Sequence, residues 1–160
     1  MYESPKKSRI LIVEDEVPIQ QVLSFFLQRN GFETLVASNG QEAMQIIPEF
    51  NPQLVILDLI MQPGSGWDVL HWMRLQHLTP RIPVLVVSAL VHLSEQVQGF
   101  EEGAIEYLTK PTQPSIIVER VRAILALNME QRLMLQHKRI DERRRVLERI
   151  HAVHPDEMVY

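Results

Sequence analysis

Two unbroken aliphatic runs, Leu54-Val55-Ile56-Leu57 and Val84-Leu85-Val86-Val87, constrain this chain more than any other feature. Successive strand residues point to opposite faces, so a run without a polar member needs cover on both sides. That is the situation of a parallel sheet held between two layers of helices. Further β-rich runs at residues 10–13, 34–37 and 105–108 alternate with stretches of helical period.

The helical stretches are read from spacing. Ile19, Val22, Leu23 and Phe26 fall at i, i+3, i+4, i+7, and Asn30-Gly31 supplies the stop. Ser38 and Asn39 stand three residues before Gln41 and Glu42, a capping-box spacing, with Ala43, Ile46 and Ile47 continuing the apolar face. Val69, Leu70, Met73 and, more weakly, His77 mark a third helix, residues 91–100 a fourth, and Ile116, Ile117, Arg120, Val121, Ile124 and Leu125 a fifth. Five strand–helix units with right-handed crossovers predict a doubly wound parallel α/β sheet, whose ligands bind beyond the carboxyl ends of the strands.

Those ends carry the chemistry. Glu14, Asp15 and Glu16 follow the first strand, Asp58 ends the third, Ser88 ends the fourth, and Lys110-Pro111 follows the fifth. Each alone reads as a solvated loop, a helix cap or surface charge. Together they are harder to dismiss, because a carboxylate ending a run as apolar as 54–57 meets a desolvation cost unless it is exposed or paired with a cation.

Four segments, in order, resemble the receiver domains of two-component response regulators. They are Ile10-Leu11-Ile12-Val13-Glu14-Asp15-Glu16, then Asp58-Leu59-Ile60-Met61 with Gly66, then Val87-Ser88-Ala89, and then Tyr107-Leu108-Thr109-Lys110-Pro111. The resemblance implies a flavodoxin-like sheet of order 2-1-3-4-5 with helices on both faces, over a domain of residues 8–127. It implies Asp58 as phosphoacceptor, and Glu14, Asp15, Asp58 and the Ile60 backbone carbonyl as Mg²⁺ ligands. Ser88 would be the hydroxyl switch, the Ala89 backbone a phosphate contact, Lys110 the phosphate-facing cation, Tyr107 the switching aromatic and Pro111 a cis proline. The phosphoryl donor would be a histidine kinase or a phosphotransfer protein.

Two places depart from the family pattern. Gln62 stands where proline is usual and Pro63 follows it, which leaves the course of that loop open; serine at 88 replaces the commoner threonine but keeps the hydroxyl. Positions two beyond Asp58 and Ser88, which in the family influence attack of water on the acyl phosphate, are the apolar Ile60 and Leu90. Slow self-dephosphorylation is the expectation.

Composition limits the rest. The 160 residues include no cysteine, so neither a disulfide framework nor a thiolate metal site is available. No signal-like or membrane-length apolar stretch occurs, and a cytoplasmic protein without a membrane partner is the expectation. Residues 1–127 carry a net charge of -5 and residues 128–160 one of +1. Direct DNA binding is therefore not expected, since the basic field it needs is missing.

Residues 128–154 are rich in helix formers and read as a helical extension, with flexible ends at 1–7 and 155–160. Leu133, Ile140 and Leu147 recur every seven residues, with Gln136 and Arg143 interrupting the seam. A short coiled coil, giving a homodimer through this helix, competes with a solvated helix. The basic Arg143-Arg144-Arg145 is expected to pair with acids on its own helix, among them Asp141, Glu142 and Glu148. The leading reading is a phosphorylation-dependent signalling switch and not a metabolic enzyme. Its alternative is a degenerate receiver that dimerises without phosphate. An aspartyl-phosphate phosphohydrolase is disfavoured because Ile60 stands where a second aspartate would be needed.

Overall fold

The computed structural model describes residues 5–154. Most of the ends expected to be flexible therefore fall outside the described residues. Five strands, β1 (Arg9–Val13), β2 (Glu33–Ala37), β3 (Leu54–Leu57), β4 (Val84–Ser88) and β5 (Glu106–Thr109), form one parallel sheet of order β2-β1-β3-β4-β5. The helices are α1 (Val17–Arg29), α2 (Gly40–Phe50), α3 (Gly66–Leu75), α4 (Leu93–Glu101), α5 (Pro114–Leu125) and α6 (Met129–Val153). Architecture and strand order are those expected.

Alternation along the strands divides the core in two. Leu11, Val13, Val55, Leu57, Val84, Val86 and Tyr107 pack with Ala43 and Ile47 of α2, Val69, Leu70 and Met73 of α3, and Phe100 of α4. Ile10, Ile12, Leu54, Ile56, Leu85 and Val87 face Leu23 and Leu27 of α1 and Ile117, Val121 and Ile124 of α5. Removing each such aliphatic side chain from water stabilises the fold by about 1.5–3 kcal/mol, which is why both faces of the central strands must be apolar.

Helix starts follow local chemistry. The Asn39 side chain accepts from the Glu42 N–H at 2.8 Å, so the residue serving the predicted cap is Asn39. Asn128 and Gln131 form a reciprocal capping box at 2.8 and 2.9 Å that starts α6. Not every predicted stripe faces inward. On α1, Val22 and Phe26 are exposed, and the buried stripe is Gln20, Leu23 and Leu27. Gln20 disguises this face, being polar yet satisfied by bonds to the Glu14 carbonyl at 2.5 Å and the Ser38 hydroxyl at 3.1 Å. On α5, Ile116 is likewise exposed. The fifth strand runs one residue later than expected, because Ser88 pairs with Thr109.

The C-terminal helix makes an intramolecular contact that its heptad spacing did not predict. It lies along α4, and its Arg139 reaches Glu106 at the start of β5. Gln136 and Arg143, the interruptions of the seam, make the contacts: Gln136 Nε2 donates to the Phe100 carbonyl at 2.5 Å and Arg143 Nε to Gln96 Oε1 at 2.7 Å. Ile140 packs against the first core cluster, while Leu133 is exposed. The docked face is thus the one that carries the interruptions, on which polar anchors satisfy backbone and side-chain acceptors of the receiver. Arg144 likewise pairs with Glu101 of α4 and not with acids of its own helix.

The loop whose course the sequence left open is tied to β3. Ile60 and Ser65 form an antiparallel bridge and the Gly66 N–H donates to the Leu59 carbonyl at 3.0 Å. Gln62–Pro63 is cis, as are Thr79–Pro80 and Lys110–Pro111. Gly66 is required by space: a Cβ there would stand 2.0 Å from the Asp58 carbonyl oxygen and 2.7 Å from Leu59 Cα. Both obstacles are backbone and have no rotamer to change. Gly66→Ala is expected to lower stability by about 1–3 kcal/mol, the usual cost of overpacking. Urea unfolding checks this, a midpoint within error of the parent being the contrary result.

Candidate metal and phosphoryl site

The carboxyl ends of β1, β3, β4 and β5 bring together the side chains picked out in the sequence. Glu14 and Asp15 leave β1, Asp58 leaves β3, and one oxygen from each lies within 4.8 Å of the others. Lys110, just past β5, reaches across the end of β4, where its N–H donates to the Ser88 carbonyl at 2.8 Å. Its Nζ then stands 2.6 Å from Glu14 Oε1 and 2.8 Å from Asp58 Oδ2.

Two carboxylates buried this closely would repel each other and lose hydration without a cation between them. Glu14 remains the strained member. Burial, then its hydrogen bond with Asp58, pushes its carboxyl up to about 7 although Lys110 pulls the other way. Burial would draw the Lys110 ammonium down, but the hydrogen bonds to Asp58 and Glu14 outweigh it and hold that group above its ordinary value. Asp58 Oδ1 accepts from the Ile60 N–H at 3.0 Å, and Asp15 Oδ2 from the Gln62 N–H at 3.2 Å. Glu14 Oε2 is buried with no hydrogen-bond partner. An unsatisfied carboxylate oxygen facing two other carboxylates is the donor set a hard divalent cation takes. The residues therefore fit an Mg²⁺ ion.

Ser88 is fully buried beside this cluster, and its Oγ accepts from the Leu90 N–H at 3.3 Å. The Tyr107 hydroxyl donates to the Leu90 carbonyl at 2.9 Å, so the residue between them is held at both its peptide groups. Tyr107 is 3% exposed, and burial pushes its phenol up to about 12. Its ring lies against Gly99 of α4, where a Cβ would come within 3.3 Å. Ala89 and Ile60 are exposed at the mouth, and Leu90 packs partly on the first core cluster. An apolar hollow of about 590 Å³ opens beside Glu14, Asp58 and Lys110, between Pro18 and Val22 of α1 and Pro114 and Ile117 of α5.

Sequence reasoning missed three contributors. Gln20 and the Gln62 backbone support the acidic residues from outside the motifs. Glu106, buried next to Tyr107, accepts from Arg120 of α5 at 2.9 Å and from Arg139 of α6 at 3.2 Å. A glutamate inside an apolar strand was the signal available for the last of these, since its burial demands cations.

Comparison with known proteins agrees with the geometry. The family described as the response regulator receiver domain matches residues 10–122. The phosphate regulon transcriptional regulatory protein PhoB of Escherichia coli is 36% identical over 117 residues, covering 73% of this chain and 51% of that protein. The DNA-binding dual master transcriptional regulator RpaA of Synechocystis is 35% identical over 117 residues, covering 73% and 48%. The chain thus spans about half the length of these relatives. Among solved structures, a response regulator from Chloroflexus aurantiacus superposes with TM-score 0.71 at 34% identity, covering 76% of this chain and all of that one. The receiver domain of Francisella response regulator 1452 gives 0.70 at 28% identity, covering 74% and 97%.

These relatives correct the expectation that DNA binding has no place in such a protein. That expectation rested on the net charge of this chain, and the charge of a segment matching half of a DNA-binding regulator does not bound what the rest contacts. Among the described residues no helix is long and apolar enough to cross a membrane. With fold, sequence and strand-end residues in agreement, the chain belongs to the response regulator receiver family.

Proposed function

We propose that this chain is a phosphorylation-dependent switch of a two-component system, in which Asp58 accepts a phosphoryl group from a histidine kinase or phosphotransfer protein. The observation that carries this reading is the Lys110 ammonium 2.8 Å from Asp58 Oδ2, inside a cluster of three carboxylates. Residues 8–127 act as the receiver domain and residues 128–154 as an extension of it. The setting is cytoplasmic, and by similarity to the relatives the output is control of transcription.

An Asp58 carboxylate oxygen attacks phosphorus, and the bond from phosphorus to the donor imidazole nitrogen breaks with its electrons going to that nitrogen. Lys110 faces the negative charge of the transferring group, so the protein's share of catalysis is positioning and electrostatic stabilisation. Glu14, Asp15, Asp58 and the Ile60 carbonyl would hold Mg²⁺, which when bound supplies charge neutralisation to the phosphoryl oxygens. The Ser88 hydroxyl accepts from the Leu90 N–H and lies within hydrogen-bond reach of the Tyr107 phenol, so its proton can turn to a phosphoryl oxygen, with the Ala89 N–H beside it. Tyr107 follows, because Leu90 joins it to Ser88. The same arrangement supports the switch over a degenerate, phosphate-independent module, which would have no need of the half-buried ammonium between Glu14 and Asp58.

Incubation with acetyl phosphate and Mg²⁺ is expected to add one phosphoryl group by intact mass, and none to Asp58→Asn; equal labelling of the variant, or none of the parent, rejects the reading. Ile60 and Leu90 carry no hydrogen-bonding group to orient water, so the purified phosphoprotein is expected to keep its phosphate for minutes or longer. Ile60→Asn should hasten the loss about tenfold, or about 1.4 kcal/mol in barrier. Loss within seconds from the parent would show that these apolar positions do not protect the acyl phosphate.

A further inference from the structure

The loop between β4 and α4, which carries Ala89 and Leu90, is held at both peptide groups of Leu90 and again at Val91. Leu90 donates its N–H to Ser88 Oγ at 3.3 Å and accepts from the Tyr107 hydroxyl at 2.9 Å. The hold on Val91 comes from α4 itself. Gln96, 7% exposed, reaches back over the first turn of its helix, and its Nε2 donates to the Val91 carbonyl at 3.1 Å. The other end of that amide, Oε1, accepts from Arg143 Nε of α6 at 2.7 Å. A continuous line of hydrogen bonds therefore runs from the C-terminal helix to the residue next to Leu90.

The chemistry of the line fixes its geometry. A carboxamide has one end that donates and one that accepts, and the two are nearly the same shape. A guanidinium can only donate and a carbonyl can only accept, so Arg143 at one end and Val91 at the other select a single orientation of the Gln96 amide. Removing Arg143 leaves the oxygen of a buried amide without that partner and lets the amide turn, which loosens its hold on Val91. Arg143 does not depend on Gln96 in the same way. Its guanidinium lies 4.7 Å from the centre of the Phe100 ring, and its Nη1 donates to the Arg139 carbonyl at 3.3 Å. Gln136 and Arg139 anchor α6 separately, to the Phe100 carbonyl and to Glu106. The loop can therefore be released at Gln96 without lifting the helix.

We propose that Arg143 is a positioning residue for the phosphoryl site: acting through Gln96, it makes the docked α6 order the β4–α4 loop, and so keeps the Ser88 hydroxyl and the Ala89 N–H in place for a phosphoryl group. The extension thereby acts on its own receiver. The consequence for phosphorylation rests on Asp58 as the phosphoacceptor, whereas the ordering of the loop does not.

Three substitutions in the full chain test this. Arg143→Met removes the donor to Gln96. Gln96→Glu keeps an acceptor for Arg143 but has nothing to donate to Val91, so α6 keeps its anchor and the relay is cut. Gln96→Met leaves no amide to orient. Each should speed deuterium exchange of the Leu90 amide, followed by NMR in the unphosphorylated protein, and slow phosphorylation by acetyl phosphate and Mg²⁺. Both effects should be about two- to tenfold, the usual strength of one hydrogen bond. Adding Arg143→Met to Gln96→Met should change neither rate further, whereas two independent contacts would add. Should Gln96→Glu fail to fold, Gln96→Met alone lacks the same donor and serves in its place. Leu90 exchange unchanged by the single substitutions, faster phosphorylation, or additive effects in the double variant would overturn the proposal. A parent chain that takes no phosphoryl group would instead reject Asp58 as the acceptor, and the exchange rates would still decide the relay.

Discussion

The ammonium of Lys110, held between Glu14 and Asp58, is the interaction on which the rest depends. Three acidic side chains at the ends of neighbouring strands would be unstable if left only to each other, because burial removes the water that screens them. The lysine is supplied from an edge strand, and it must pass the end of β4 to arrive. Sheet order thus decides which residue lies beneath it: Ser88, tied to Lys110 through the backbone and to Leu90 through its hydroxyl. One electrostatic requirement therefore fixes the relation of four strand ends, and it leaves Glu14 with an oxygen that has no partner in the protein.

A second buried charge organises the opposite side of β5. Glu106 and Tyr107 are adjacent, so their side chains leave opposite faces of the strand. The glutamate draws in Arg120 and Arg139, and the tyrosine reaches Leu90 above the acidic pocket. The strand that delivers Lys110 thereby also carries the residue that fastens α6 and the residue that bonds Leu90. The acidic pocket and the docked helix are separated by a single strand.

The loop after Asp58 shows how a departure from a family pattern is absorbed. Displacing the usual proline by one place leaves Gly66 still pressed on the Asp58 backbone, and the Ile60–Ser65 bridge closes the loop between them. Because the close approach is between backbones, it depends on the missing Cβ at 66 and tolerates a shift of proline within the loop. The Gln62 N–H gained at that place donates to Asp15, so the altered segment still serves the acidic cluster.

By itself the sequence determined the alternation of strands and helices, the two-sided burial of β3 and β4, and the strand-end residues of the site. Those features are encoded locally, in period and in the residue that ends each apolar run. It misses faces whose inward positions are polar: Gln20 lies outside the predicted stripe of α1, and Gln136 and Arg143 read only as interruptions of a seam on α6, because their partners are distant in the chain. Tertiary structure alone decided that α6 would dock on α4 through Gln136, Arg139 and Arg143, that Glu106 would be buried, and which side of β5 the last helix would cover. The physical reason is that a hydrophobic pattern announces burial without knowledge of its partner, whereas a polar side chain can be buried only where a specific acceptor or counter-charge meets it, and only the folded arrangement supplies that.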